Sequence, residues 1–207
     1  SGESKMAYDV FEPDGEPAAP LAVKLLIAGG FGVGKTTLVR AVTEIKSLHT
    51  EEYISQQGAY TDPLAGVADK QTTTVALDFG RITIDEEIVL YLFGTPGQER
   101  FWFMWDELGY GAAGVVILAD TRRLADCFAA VDYFELRQVP FIVAVNAFDG
   151  APRFHPQSVR AALDLDPYVP IVICDARERM SCRDVLLALI AHIRELQEGT
   201  YGVSVTG

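Results

Sequence analysis

From residue 21 onward, short and almost continuous apolar runs alternate with segments of helical periodicity. The four clearest runs are LAVKLLIA (21–28), GVVILAD (114–120), VPFIVAVN (139–146) and VPIVICD (169–175). Apolar runs of this length without alternation are typical of strands that are buried on both faces, as in parallel sheets. The pattern therefore predicts a mostly parallel sheet covered by helices.

Helical spacing and one hairpin complete the predicted architecture. Apolar residues recur at intervals of about 3.6 residues in two segments, one marked by Leu124, Cys127, Phe128, Val131 and Phe134 and the other by Leu186, Leu189, Ile190, Ile193 and Leu196. The segments TVALDFGRITI and EIVLYLF predict an antiparallel hairpin with its turn around Asp85 to Glu87. We therefore predict an α/β three-layer sandwich with a mostly parallel six-stranded sheet and one antiparallel strand.

The length of 207 residues, of which 49% are hydrophobic, fits one well-buried core. We assign this core to residues 21–198. Residues 1–20 are acidic and contain proline without apolar periodicity, so they are predicted to form a disordered arm. Residues 199–207 are predicted to form a flexible tail.

Charge and composition exclude several function classes. The formal net charge of −12 argues against nucleic-acid binding, which needs a surplus of basic residues on one face. The sequence has no membrane-length apolar run, no signal-peptide pattern and no prenylatable cysteine near its end, so we expect a cytoplasmic protein without an intrinsic membrane anchor. Three widely spaced cysteines, Cys127, Cys174 and Cys182, fit neither a disulfide framework nor a zinc site.

The segment GGFGVGKTT (29–37) follows the first predicted strand and opens a helix. It matches the phosphate-loop pattern G-x-x-x-x-G-K-[ST], in which backbone N–H groups surround an anion at a helix N-terminus. Lys35 can reach the outer phosphates and the Thr36 hydroxyl can bind Mg²⁺. The predicted nucleotide-binding residues of this loop are Gly29, Gly32, Val33, Gly34, Lys35, Thr36 and Thr37.

Two later strand ends predict a base-binding site. Asn146 and Asp149 of VNAFD follow a buried strand at the end where open α/β sheets bind ligands. An Asp carboxylate can accept from both N1–H and the exocyclic amine of guanine, whereas N1 of adenine carries no proton. In CDAR (174–177) the amide of Ala176 is placed to reach a base oxygen, and Asp175 and Arg177 are included in the predicted site.

Together these motifs resemble those of small Ras-like GTPases over about residues 22–197. The resemblance implies a P-loop NTPase fold, GTP and GDP as ligands and Mg²⁺ as cofactor. In it, TPGQER (95–100) corresponds to the second switch, with Gly97 at the nucleotide and Gln98 and Lys35 as catalytic residues. Alignment to the family's T-x-x-x-D-F pattern selects Thr74, rather than Thr72 or Thr73, as the second Mg²⁺ ligand beside Thr36.

The nearest likeness is to the bacterial gliding-motility-type GTPases and, more closely, to the GTPase component of actinobacterial conservon operons. That likeness implies a signalling role, a partner of the roadblock (longin-like) fold and a sensor-kinase-like neighbour. It also implies that any recruitment to a membrane occurs through partners.

Three departures from the family pattern bear on catalysis. Gly94 replaces the Asp that usually holds a Mg²⁺-bound water, and either Asp78 or Asp120 is a candidate to replace it. Ala147 replaces a Lys whose stem flanks the base, which predicts modest affinity. Phe31 crowds the approach to the γ-phosphate.

These departures leave two functions open, and a third interpretation, a P-loop ATPase or small-molecule kinase, has little support in the sequence. Gln98 favours a switch with slow hydrolysis of GTP to GDP and phosphate, since such catalysis depends on positioning the attacking water. Gly94 and Phe31 favour a nucleotide-dependent scaffold with negligible hydrolysis. Arg100, Arg122 and Arg123 are candidates for an arginine finger, or are surface charges.

Two further segments bear on how the protein could signal. FWFMW (101–105) is either a helix packed on the sheet or a partner surface, and the pattern favours neither. The polar segment 48–71 is long for a connection and is predicted to be a mobile first switch.

Overall fold

The computed structural model describes residues 19–46, 48–55, 72–98 and 101–203, with only the backbone described at 48–55, 72–76 and 200–203. Its strands are β1 (Leu21–Gly29), β2 (Leu48–Ser55), β3 (Thr72–Thr83), β4 (Ile88–Gly94), β5 (Gly114–Ala119), β6 (Phe141–Asn146) and β7 (Ile171–Cys174). Its helices are α1 (Lys35–Val42), α2 (Met104–Gly109), α3 (Phe128–Leu136), α4 (Pro156–Ala162) and α5 (Arg179–Val203). A 3₁₀ turn, Leu124–Cys127, precedes α3.

The described strands form one sheet in the order β2-β3-β4-β1-β5-β6-β7. β3 alone runs against its neighbours β2 and β4, while the pairs from β4 to β7 are all parallel. This confirms the predicted mostly parallel sheet with one antiparallel strand. The sheet has one strand more than the six predicted, because LHTEEYIS, which carries few apolar residues, pairs at its edge as β2.

The hydrophobic core lies in two layers, one on each face of the sheet. Along β1, Leu25 and Ile27 pack against α1 and α5, whereas Leu26 and Ala28 face α2, α3 and α4. All four residues are fully buried. Burying a Leu or Ile side chain contributes about 1.5–3 kcal/mol, so the continuous apolar runs are explained by strands that have a core on each side.

The predicted hairpin forms between β3 and β4. The Asp85 carboxylate accepts hydrogen bonds from the backbone N–H groups of Glu87 and Ile88, each at 2.8 Å, and so closes the turn. At the other end of the chain, α5 continues to Val203, past the predicted domain boundary at residue 198.

Several sequence predictions fall on parts of the chain that are not described. The predicted disordered arm lies outside the described residues up to residue 18, as do residues 204–207 of the predicted tail. Of the predicted first switch, residues 48–55 form β2, and residues 56–71 lie outside the described residues. Within the described ranges, no helix has the length and apolar character needed to cross a bilayer.

The sheet order determines where a ligand can bind. β1 lies between β4 and β5, so the chain turns to opposite sides of β1 as the sheet is built. Such a reversal leaves a crevice outside the carboxyl ends of the strands. The phosphate-loop segment and both predicted base-reading segments begin at these carboxyl ends.

Candidate functional site

The loop between β1 and α1 depends on glycine for its shape. Gly29, Gly32 and Gly34 have φ values of 130°, 72° and 109°, which glycine adopts without the penalty other residues incur. A Cβ on Gly29 would lie 2.4 Å from the Leu118 carbonyl oxygen, and one on Gly34 would lie 2.7 Å from Nδ2 of Asn146. The loop is therefore fixed by its own backbone and by close contact with β5 and β6.

Lys35 is the first residue of α1 and is only 9% exposed. Its Nζ donates to the carbonyl oxygens of Gly29 at 2.8 Å and Gly30 at 2.7 Å. Burial lowers the pKa of Lys35 to about 8, an effect that the carboxylate of Asp78 partly opposes. The amine is therefore mostly charged at neutral pH and lies inside the loop that is predicted to hold phosphate.

The hydroxyl of Thr36 donates to Oδ2 of Asp78, which comes from β3. Asp78 is 7% exposed and pairs in register with Gly94 of β4. A Cβ on Gly94 would lie 3.0 Å from Cβ of Asp78 and 3.2 Å from its Oδ2. The Asp78 carboxylate thus occupies the space beside Gly94, next to the predicted Mg²⁺ ligand Thr36.

Asp120, the other candidate carboxylate, is bound to arginine. Its Oδ2 lies 2.7 Å from Nη2 of Arg122, and its Oδ1 accepts from Nε of Arg122 at 2.9 Å. These hydrogen bonds lower the pKa of Asp120. Of the two candidates, only Asp78 contacts Thr36 in the described residues.

Asn146 joins the phosphate loop to the segment after β7. Its Nδ2 donates to the carbonyl oxygen of Val33 at 3.0 Å, and its Oδ1 accepts from the amide of Ala176 at 3.0 Å. Asn146 is 5% exposed. The amide of Ala176 is thus bound to Asn146, and its contact with a base oxygen stays a prediction.

Asp149 has an exposed side chain that is held by Arg177. The Arg177 Nη1 donates to Oδ2 of Asp149 at 2.8 Å, and Nη2 donates to Oδ1 at 3.2 Å. Arg177 also binds Asp175, where Nε meets Oδ1 at 2.9 Å and Nη2 meets Oδ2 at 2.7 Å. These bonds lower the pKa of Asp149 and bring that of Asp175 to about 2, so both carboxylates are charged at neutral pH.

Three of the predicted phosphate-loop residues and the predicted base residues line one open cavity of about 320 Å³. Its lining includes Gly32, Gly34, Thr37, Arg122, Asn146, Ala147, Asp149, Asp175, Ala176 and Arg177. Arg122 also stacks on the ring of Phe148, with its guanidinium carbon 4.2 Å from the ring centroid. Sequence reasoning did not place Arg122 in this cavity, although its position just after β5, at the carboxyl end of a strand, was an available signal.

Gln98 lines a second cavity of about 440 Å³, together with Gly30 and Phe31 of the phosphate loop and Trp102. Gly97 lies against the loop, because a Cβ on it would be 2.5 Å from Nζ of Lys35 and 2.8 Å from the Gly30 carbonyl oxygen. The second-switch segment therefore contacts the residues that are predicted to hold the outer phosphates.

The aromatic stretch after this segment is mostly buried. Phe101, Met104 and Trp105 are at most 5% exposed, whereas Phe103 is 53% exposed. The indole of Trp105 donates to the Pro96 carbonyl oxygen at 3.2 Å. The packed interpretation therefore holds for three of the five residues, and Trp105 anchors the second switch to the core.

Two of the residues singled out from the sequence, Thr74 and Arg100, are not fully covered by the described part of the structure. The backbone of Thr74 pairs with Tyr53 in the β2–β3 ladder, but its side chain is outside the described part, so its role as a Mg²⁺ ligand stays a prediction. Arg100 lies outside the described residues. Arg123, the remaining arginine candidate, donates from Nη2 to the Phe31 carbonyl oxygen at 3.0 Å.

A comparison with known protein families assigns the chain to one of them. The profile of the family described as "Conserved hypothetical ATP binding protein" matches residues 27–196, which include every described part of both cavities. The chain belongs to this family. Its description names ATP.

Curated relatives of this family member are distant. An uncharacterised protein of Methanocaldococcus jannaschii is 27% identical over 129 residues, covering 61% of this chain and 71% of that protein. The human Ras-related protein Rab-7b is 28% identical over 155 residues, covering 69% of this chain and 68% of that protein.

Solved structures show the fold of this family member. The G domain of the T. maritima FeoB iron transporter matches with a TM-score of 0.55 at 21% identity, covering 84% of this chain and 98% of that one. The apo cytosolic domain of the same transporter matches with a TM-score of 0.58 at 18% identity, and the chain spans only 64% of it. The fold is therefore that of a G-domain P-loop NTPase.

Proposed function

We propose that this protein is a guanine-nucleotide-binding molecular switch that binds GTP with Mg²⁺ and hydrolyses it slowly. The observation that carries the proposal is the shared cavity, in which the phosphate loop and Asp149 line the same space. Asn146 supports it by bonding to both the phosphate loop and the segment after β7. A nucleotide in this cavity would contact both halves at once.

The choice of guanine rests on Asp149. Its two carboxylate oxygens each accept an N–H from one planar group, Arg177, which is the pairing that guanine would need. Relatives named as a Ras-related protein and as the GTP-binding protein yptV2 of Volvox carteri are consistent with guanine. The family description, which names ATP, makes the base the first property to test.

Thr36 and Thr74 would bind Mg²⁺, and Asp78, which contacts Thr36, would hold a water on the ion in place of the usual Asp. A hydroxyl and a carboxylate in mutual contact fit this ion, which prefers oxygen ligands and is usually bound by one or two carboxylates together with phosphates. Among the described residues there is no cluster of three or more His, Cys, Asp or Glu that could form an all-protein metal cage. When bound, Mg²⁺ neutralises charge on the phosphates.

Hydrolysis is assigned to Gln98 and Lys35. Gln98 would orient the attacking water from the second cavity, while the Lys35 ammonium would stabilise the charge that develops on the transferred phosphoryl group. An arginine finger contributes about 10³ to 10⁵ in rate, but the described candidates Arg122 and Arg123 are bonded to Asp120 and to the Phe31 carbonyl oxygen. We therefore expect slow turnover by the protein alone.

A nucleotide-dependent scaffold is the second candidate, and Phe31 favours it. This ring is 64% exposed and lines the same cavity as Gln98, so it restricts the approach to the outer phosphate. Single-turnover phosphate release separates the two functions. The switch predicts slow release that Gln98→Leu reduces without changing nucleotide affinity, whereas a scaffold predicts release no faster than in buffer.

The nucleotide itself is tested by titration with labelled GDP and ADP, together with mass identification of any nucleotide that co-purifies. We expect a preference for GDP of at least about tenfold, since one bidentate base contact contributes about 1–3 kcal/mol. Equal binding, or a preference for ADP, would refute the guanine assignment and agree with the family description. A roadblock-fold partner and a sensor-kinase-like neighbour are part of the proposal through the sequence resemblance alone.

A further inference from the structure

We propose that Arg177 acts as an internal mimic of guanine, which holds the base-reading carboxylate of Asp149 and must leave it before a guanine nucleotide can bind. The inference rests on the proposed guanine specificity and concerns what sets the affinity at that site.

The mimicry follows from the donor geometry. Guanine presents N1–H and an exocyclic amine side by side to a carboxylate, and a guanidinium presents two parallel N–H donors in the same way. Arg177 uses this arrangement on Asp149, with one bond to each carboxylate oxygen at 2.8 Å and 3.2 Å. The bidentate face of the carboxylate therefore cannot pair with both groups at once.

Arg177 has a second partner, Asp175, to which it stays bound when it leaves Asp149. Its Nε and Nη2 bind the two oxygens of Asp175 at 2.9 Å and 2.7 Å, and its backbone N–H donates to Oδ1 of Asp175 at 2.9 Å. Release of Asp149 therefore breaks two hydrogen bonds and keeps three. Arg177 can withdraw without losing its charge partner.

The exposure of the pair makes the exchange reversible. The side chain of Asp149 is 85% exposed and that of Arg177 is 56% exposed, whereas that of Asp175 is 27% exposed. Exposed ion pairs are weak because water screens them. Competition by Arg177 should therefore lower guanine affinity by a small factor, about fivefold.

Adenine gives the contrast that tests this competition. It has no proton at N1 and cannot place two donors on Asp149, so Arg177 does not compete with it for a contact. Removing the mimic should therefore raise affinity for guanine nucleotides and leave that for adenine nucleotides unchanged.

The test compares GDP and ADP affinities of the wild-type protein, Arg177→Lys and Arg153→Lys at one ionic strength. Lys keeps the positive charge but lacks the planar paired donors. For Arg177→Lys we expect GDP affinity about fivefold higher, slower GDP release by a similar factor and unchanged ADP affinity. Arg153→Lys is the matched control, because Arg153 is exposed, acts on Asp149 through its charge and should change neither value.

Other outcomes overturn the inference in distinguishable ways. Lower affinity of Arg177→Lys for both nucleotides would show that Arg177 only stabilises the loop. Lower affinity for GDP alone would show that Arg177 contributes to guanine binding. A wild-type protein without guanine preference would refute the proposed function itself. Thermal unfolding checks the fold, and Arg177→Gln, whose amide can donate from one nitrogen only, replaces the first variant if that fails to fold.

Discussion

In the phosphate-binding half of the cleft, Lys35 is 9% exposed and bonds to backbone carbonyls no more than six residues away. In the base-binding half, the side chain of Asp149 is 85% exposed and its partner Arg177 lies 28 residues further along the chain. The first half is held by buried backbone and glycine geometry, the second by exposed side-chain ion pairs. The proposed phosphate site is therefore preorganised, whereas the proposed recognition of the base requires side chains to exchange partners.

The largest effect is expected in the preorganised half. Lys35→Ala removes a buried cation from the phosphate loop, and we expect nucleotide affinity to fall by about a thousandfold, since truncating a buried charge partner costs about 2–5 kcal/mol. Equilibrium titration with labelled GDP measures the loss. The exposed Lys46→Ala serves as control, and a loss below about tenfold for Lys35→Ala would mean that the loop does not bind phosphate through this residue.

The second-largest effect is expected at Asp78 and tests whether this residue contributes to Mg²⁺ binding. Asp78→Asn should raise the Mg²⁺ concentration needed for half-maximal GTP binding by about 10- to 100-fold, as substitutions around a metal's direct ligands do. GDP binding without Mg²⁺ should be unchanged. The reciprocal exchange, Asp78→Gly with Gly94→Asp, moves the carboxylate to the neighbouring strand and should return the half-maximal Mg²⁺ concentration to the wild-type value. If Asp78→Asn leaves that concentration unchanged, Asp78 does not contribute to Mg²⁺ binding.

In the base half, Asp149→Ala should lower GDP affinity by about tenfold and leave ADP affinity unchanged. The loss is at the low end for a bidentate base contact, because in the wild-type protein the carboxylate must first release Arg177. Parallel titrations with the two nucleotides measure the ratio. An equal loss for both would show that Asp149 supports the cavity without reading the base.

The smallest effect is a pH dependence confined to the phosphate half. Burial lowers the pKa of Lys35 to about 8, so its charge, and with it phosphate affinity, is present below that pH and lost above it. Between pH 7 and 8.5 we expect ADP affinity to fall by about fourfold. Lys35→Arg, which stays charged, should bind more weakly but with a flat profile over the same range. A flat wild-type profile would contradict the role of burial.

The predicted parallel strands were accessible from sequence because their signal is local. A strand with a core on each face needs an uninterrupted apolar run, and β1, β5, β6 and β7 all have one. The edge strand β2 was missed, because its residues are mostly polar and its pairing with β3 depends on a partner elsewhere in the chain. The packing of FWFMW was left open for a similar reason, since burial of Trp105 depends on α3, where it stacks on Phe134.

In the candidate site, too, the sequence predicted the residues but not the contacts between them. The sequence suggested two carboxylates to compensate for Gly94, and the pairing of Asp78 with Gly94 across β3 and β4 selects one of them. It identified Asp149 and Arg177 as neighbours of a base without indicating that they bind each other. No local pattern predicts such a contact, because it depends on how two loops at different strand ends approach.

By itself, the sequence predicted the phosphate loop, the buried parallel strands and the acid that is proposed to read the base. These depend on glycine spacing, apolar runs and strand ends, which are properties of neighbouring residues. Only the tertiary structure decided that Asp78 fills the space beside Gly94 and that Arg177 holds Asp149. Strand register and the meeting of distant loops bring these side chains together, and residues far apart in sequence carry no local signal of either.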